Sequence, residues 1–139
     1  MTADYFLDAN ILLYAASSAS ADAVKREIAE NLIIETPFAL SAQVLQEFIA
    51  NALKKKMLGI NEANIDATLE LARLVPVLPI TYALITQANE LRRRHRISHW
   101  DATILAAAQE LGCHTLYTED LNHGQNYDGV KVVNPFRAN

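Results

Sequence analysis

Acidic residues stand where an α/β chain would build a site. Asp8 directly follows the apolar stretch Tyr5-Phe6-Leu7, and Glu119 and Asp120 directly follow Thr115-Leu116-Tyr117. Both stretches read as short buried strands, so these acids project from strand carboxyl ends. Glu47 lies in a helical stretch whose apolar face is Val44, Leu45, Phe48, Ile49, Ala52 and Leu53, and it shares the rim of that face with Asn51. Asp101 belongs to SHWDATILAAA, residues 98–108. The helical period gathers Trp100, Ile104, Leu105, Ala107, Ala108 and Leu111 on one side, with Asp101 among them. Carboxylates brought together repel one another unless cations compensate. Hard oxygen donors without clustered Cys or His suit Mg²⁺ or Mn²⁺. Such an ion lowers the pKa of a bound water and stabilises charge building on phosphorus, which suits phosphodiester hydrolysis.

Each acid also has an ordinary structural role. Asp8, Asn10 and Asp120 are residue types that cap helices and form turns. A glutamate on a helix rim is normally solvated. Ser98-x-x-Asp101 has the pattern of a capping box, with the acid near the positive end of the helix dipole. The cap accounts for a charged Asp101 but not for its alignment with the apolar stripe. Trp100 and Tyr14 read as packing residues, and His99 and His123 as surface or loop residues. Lys54-Lys55-Lys56 and Arg92-Arg93-Arg94-His95-Arg96 are basic clusters near helix C-termini, where cations are favoured.

The elements that must position these groups alternate along the chain. Strands are expected at residues 5–7, 77–78, 115–117 and 130–133, with one more at either 32–34 or 38–40 around Pro37. Helices are expected over residues 10–16 and 21–31, from the Ser41 cap to Met57, and from the Asn61 cap to Leu74. Two more run from the Thr81 cap to His95 and from the Ser98 cap to a stop at Gly112. This alternation predicts an α/β fold with a mostly parallel central sheet flanked by helices. In such folds ligands bind at the carboxyl ends of strands.

The 139 residues suit a single domain spanning 1–139. Half the residues are hydrophobic (51%) and a fifth charged (20%), the balance of a soluble globular chain rather than a disordered one. No apolar run is long enough to span a membrane, and the N-terminus lacks the pattern of a signal peptide. The single cysteine, Cys113, excludes an internal disulfide, argues against structural zinc and points to a cytoplasmic location. The net charge of -4 makes any nucleic-acid contact depend on local basic clusters.

Asp8-Ala9-Asn10-Ile11-Leu12-Leu13-Tyr14-Ala15 resembles the N-terminal signature of PIN-domain nucleases. Ser41 with Glu47-Phe48 resembles their second motif, Ser98-His99-Trp100-Asp101-Ala102 the third, and Leu116-Tyr117-Thr118-Glu119-Asp120-Leu121 the fourth. Asn134-Pro135-Phe136 resembles their usual ending. The order holds over nearly the whole chain, and the chain is most similar to VapC-type toxins of toxin–antitoxin operons. The resemblance implies a PIN-like fold and a metal-dependent endoribonuclease using Mg²⁺ or Mn²⁺. Asp8 and Asp101 would be central ligands, Glu47 would bind or orient metal-bound water, and Asp120 would complete the site, with Glu119 the alternative fourth acid. Asn10, Ser41 and Thr118 would support the acids, and Arg92, Arg93, Arg94 and Arg96 would grip RNA phosphates. A cognate antitoxin and a homodimer are also implied. A PIN-like module that binds RNA or an antitoxin without turnover is the alternative, with a phosphatase or phosphotransfer domain ranked below it.

Overall fold

The structure, a computed structural model, describes residues 3–137. Its strands are β1 (Tyr5–Leu7), β2 (Phe38–Ser41), β3 (Val77–Leu78), β4 (Thr115–Tyr117), β5 (Asn126–Tyr127) and β6 (Val130–Val133). Its helices are α1 (Ala9–Ala16), α2 (Ala23–Glu35), α3 (Ala42–Lys54), α4 (Glu62–Ala72), α5 (Tyr82–His95) and α6 (His99–Glu110). The strands form one sheet in the order β3-β2-β1-β4-β6-β5, parallel except for β5. Tyr5 pairs with Phe38 on one side and Thr115 on the other, which places β1 at the centre. Short apolar strands of this kind are buried on both faces by helices. Phe6, Leu7, Leu40, Leu116 and Val132 from the sheet are fully enclosed, as are Ile11, Val44, Phe48 and Leu105 from the helices. No described helix is long and apolar enough to cross a membrane.

This order carries a functional consequence. From β1 the chain builds outward through β2 to β3, and then returns to lay β4 and β6 on the other side of β1. The direction reverses between β1 and β4, and a crevice opens outside the carboxyl ends of strands at such a reversal. Asp8 leaves β1 there, and Thr118 to Asp120 leave β4 there.

Several expected boundaries move. Residues 32–34 belong to α2, not to a strand. Helix α2 runs to Glu35, and Pro37 then holds the chain extended into β2. Helix α3 stops at Lys54, three residues before Met57, and a short 3₁₀ turn, Lys56–Leu58, ends at Gly59 with a positive φ of 62°. Helix α4 stops at Ala72, two residues before Leu74. Strand β5 was not expected. Its signal was the pair Asp128-Gly129, both at positive φ, which closes the β5–β6 hairpin.

Helix α6 departs most from its expected pattern. Every residue from Ala102 to Ala108 is buried, because the helix lies between the sheet and α5. Thr103, outside the expected apolar side, is also buried and donates its hydroxyl to the His99 carbonyl at 2.8 Å. Trp100, expected to pack, is 66% exposed. Asp101 sits half-buried in the first turn, ahead of the enclosed segment.

Candidate active site

Asp8 begins the site. It ends β1 and caps α1, with Oδ1 accepting the Ala9 N–H at 2.7 Å. Its other oxygen, Oδ2, accepts the Thr118 hydroxyl at 2.8 Å. The carboxyl group is buried, and burial pushes its pKa from 3.8 up to about 7; those two hydrogen bonds oppose the rise, and the charges of Asp120 and Glu47 add to it.

Thr118 is the hub of the crevice. It is fully buried and donates to Asp8, while its Oγ1 accepts the Asp120 N–H at 3.1 Å and the Asn10 amide at 3.4 Å. Asn10 also donates to Asp120 Oδ2 at 3.2 Å. Burial raises the pKa of Asp120, with the charges of Asp101 and Glu119 adding to the rise, while the Asn10 hydrogen bond and the Lys55 charge oppose it. Asp8 thus feels Glu47 and Asp120, and Asp120 feels Asp101, so one electrostatic neighbourhood contains all four acids.

Two helices bring the remaining acids. Ser41 is buried and caps α3 by accepting the Val44 N–H at 3.3 Å. Ser98 caps α6 by accepting the Asp101 N–H at 3.0 Å. Gln43 joins the two helices and was missed from the sequence. It is buried, and its amide donates to Glu47 Oε1 at 2.9 Å and to the Trp100 carbonyl at 3.2 Å. Its position four residues before Glu47 was the available signal, since such residues share a helix face.

Glu119 points elsewhere, to Tyr14 and Lys25. Tyr14 is half-buried, and instead of simply packing it gives its hydroxyl to Glu119. Of the basic clusters, Lys55 carries the charge that reaches Asp120. Arg94 and His95 instead engage Asp128, in the turn that precedes β6. Because β6 is parallel to β4, that turn lies at the sheet edge opposite the acids. Arg92 is half-buried, and Arg93 and Arg96 are exposed. His123 is an exposed loop residue, and its Nδ1 accepts the Asn134 N–H at 3.0 Å.

A divalent cation fits this donor set. The four side chains offer hard carboxylate oxygens, and Asn10 Oδ1 beside them is buried without a hydrogen-bond donor. Among the described residues, no three His, Cys, Asp or Glu side chains are close enough to share one ion as they stand. Three of the four rest on protein partners: Asp8 on Thr118, Asp120 on Asn10, and Glu47 on Gln43.

The PIN domain family model matches residues 5–128, from β1 to the turn before β6. The chain belongs to the PIN domain family. A comparison of its sequence with curated proteins gives no match. Among solved structures, this PIN domain is similar to VapC20 of Mycobacterium tuberculosis, a sarcin–ricin loop cleaving toxin. The TM-score is 0.68 at 24% identity, over 84% of this chain and 89% of that one. It is also similar to a toxin–antitoxin complex from Klebsiella pneumoniae, with a TM-score of 0.66 at 21% identity over 96% and 99% of the two chains. VapBC2 of Rickettsia felis, bound to a DNA fragment from its promoter, gives 0.64 at 21% identity over 92% and 96%. At these identities the likeness is one of fold.

Proposed function

We propose that this PIN domain is a metal-dependent endoribonuclease and the toxin of a type II toxin–antitoxin pair. The observation that carries the reading is Asp8. It is a buried carboxyl at the reversal of the sheet order, crowded by the charges of Asp120 and Glu47. The toxin reading draws on the fold shared with VapC20 of Mycobacterium tuberculosis and with the Klebsiella pneumoniae complex. The RNA substrate, a cytoplasmic site of action, a cognate antitoxin and a homodimer belong to the same proposal.

Asp8 and Asp101 would hold Mg²⁺ or Mn²⁺, with Glu47 and Asp120 completing the set. When bound, the ion supplies positive charge opposite the scissile phosphate and acidifies water. The chain's own residues do the positioning. Gln43 holds one oxygen of Glu47, leaving Oε2 to accept a hydrogen bond from the attacking water. Asn10 and Thr118 hold Asp120 and Asp8 in one orientation. Helices α1, α3 and α6 all begin beside the acids, and their positive ends favour both carboxylates and phosphate. Lys55 sits where its charge can meet a phosphate. Arg92, Arg93, Arg94 and Arg96 are further RNA contacts in this proposal, and Arg94 would first have to leave Asp128.

The test is cleavage of a varied RNA panel with Mn²⁺, with Asp8→Asn and Asp101→Asn purified in parallel. The parent should cut, EDTA should stop it, and each variant should lose at least ~100-fold while remaining folded. Equal cleavage by parent and variants would reject the assignment. Tight RNA binding without cleavage by the parent would favour a binding module.

A further inference from the structure

Two acids follow β4, and the structure treats them differently. Asn10 and Tyr14 lie one turn apart on the same face of α1, and the loop after β4 runs along that face. Asp120 meets Asn10, on the turn nearest Asp8. Glu119 meets Tyr14, one turn further away, with Oε1 accepting the Tyr14 hydroxyl at 2.8 Å. Lys25 from α2 closes the arrangement. Its ammonium donates to Glu119 Oε2 at 3.2 Å and to the Tyr14 hydroxyl at 3.1 Å. It also lies 4.5 Å from the centre of the Tyr14 ring and 5.4 Å from that of Phe136, whose ring meets Tyr14 edge-on at 4.9 Å.

This is more than a surface ion pair, which alone contributes little. One cation is bonded to two oxygens and faces two rings, and its carboxylate partner is three-quarters shielded. Its effect is to set the register of the loop against α1. A slip of one residue would bring Glu119 to Asn10 and carry Asp120 out of the crevice.

We propose that Lys25 is a positioning residue for the candidate metal centre: with Tyr14 it anchors Glu119 one helical turn from Asp8, so that Asp120 is the acid presented to the crevice. The inference rests on the metal-dependent reading above. It also answers which of the two adjacent acids serves as the fourth. Glu119 is the anchor and Asp120 is the ligand.

The test uses the full chain and the variants Lys25→Met, Lys25→Arg, Glu119→Gln and Asp120→Asn. Mn²⁺ affinity is read by calorimetry, and kcat and KM by cleavage of a fluorescent RNA. Lys25→Met should weaken Mn²⁺ binding and lower kcat, each by about tenfold, with KM for RNA unchanged within about twofold. Lys25→Arg should restore both to within about threefold, because it keeps the charge and the ring contacts. Glu119→Gln keeps one oxygen acceptor and turns an amide N–H toward the other partner, so it should lose about as much as Lys25→Met, while Asp120→Asn should lose about 100-fold in kcat.

Unchanged Mn²⁺ affinity and kcat in Lys25→Met would overturn the proposal. A rise confined to KM would also overturn it, by making Lys25 an RNA contact. Glu119→Gln as damaging as Asp120→Asn would make Glu119 the ligand and reverse the assignment. If the parent binds Mn²⁺ through Asp8 but cuts no RNA, the nuclease reading fails while the Mn²⁺ arm still decides the role of Lys25. A parent that neither binds Mn²⁺ nor cuts RNA overturns both.

Discussion

Replacing Asp8 with Asn should stabilise the metal-free protein at neutral and higher pH while removing its activity. Asp8 is 5% exposed, and burial lifts its pKa from 3.8 to about 7. The folded state therefore keeps a proton that the unfolded chain releases near pH 3.8. Between these values the folded state binds one more proton, so stability falls as pH rises, by about 1.4 kcal/mol per unit. Over the whole interval the loss sums to roughly 4 kcal/mol. Asn stays neutral throughout and keeps an acceptor for the Ala9 N–H. It also turns an amide N–H toward Thr118 Oγ1, which already accepts from Asn10 and Asp120. The lost hydrogen bond returns about 1 kcal/mol of the gain. Asp8→Asn should thus exceed the parent by about 3 kcal/mol at pH 8, and by less than about 1 kcal/mol at pH 5. Urea denaturation followed by circular dichroism, in EDTA at both pH values, measures this. Mg²⁺ should then narrow the gap at pH 8, because it binds the parent and not the variant. A variant no more stable than the parent at pH 8, or a gain equal at the two pH values, would refute the claim of a strained buried carboxylate.

Gly59→Ala should lower stability by about 1–3 kcal/mol in thermal or urea unfolding, because a Cβ there would stand 2.2 Å from Ser18 Oγ on backbone with φ at 62°. Stability equal to that of the parent would mean that the Ser18 side of the 3₁₀ turn rearranges freely. Lys55→Ala should raise KM for RNA a few-fold with kcat little changed, and should flatten the dependence of log KM on log salt by about 0.7. An unchanged salt slope would place Lys55 off the RNA path.

The sequence made the framework legible because periodicity and punctuation agreed. Ser41, Asn61, Thr81 and Ser98 all cap the helices expected of them, and the strand at 115–117 appears as read. Asp8 and Asp120 could be placed because a residue after a parallel strand has few places to go. Asp101 does not lie on an apolar stripe. Its helix is enclosed from Ala102 to Ala108, so an apolar stripe was the wrong description. Asp101 stands just before that segment, in the turn that Ser98 caps. Trp100 was misplaced for the same reason, since residues in a first turn can lie beyond the neighbouring layer. Gln43, Tyr14 and Lys25 were not legible as site residues. Their roles come from side chains meeting across α1, α2, α3 and α6, and the spacing within one helix carries no information on such meetings. The same limit hid Asp128, which draws Arg94 and His95 away from the sheet edge that bears the acids.

The central claim is that Asp8, Glu47, Asp101 and Asp120 together hold a divalent ion. An anomalous difference map from a crystal soaked in Mn²⁺ tests it most directly. The account predicts a peak in the crevice between β1 and β4, bonded to Asp8 and within the reach of Asp101 and Asp120. It also predicts that Glu119 remains on Lys25. A map with no peak at Asp8, or with manganese held by Glu119 in place of Asp120, would contradict it.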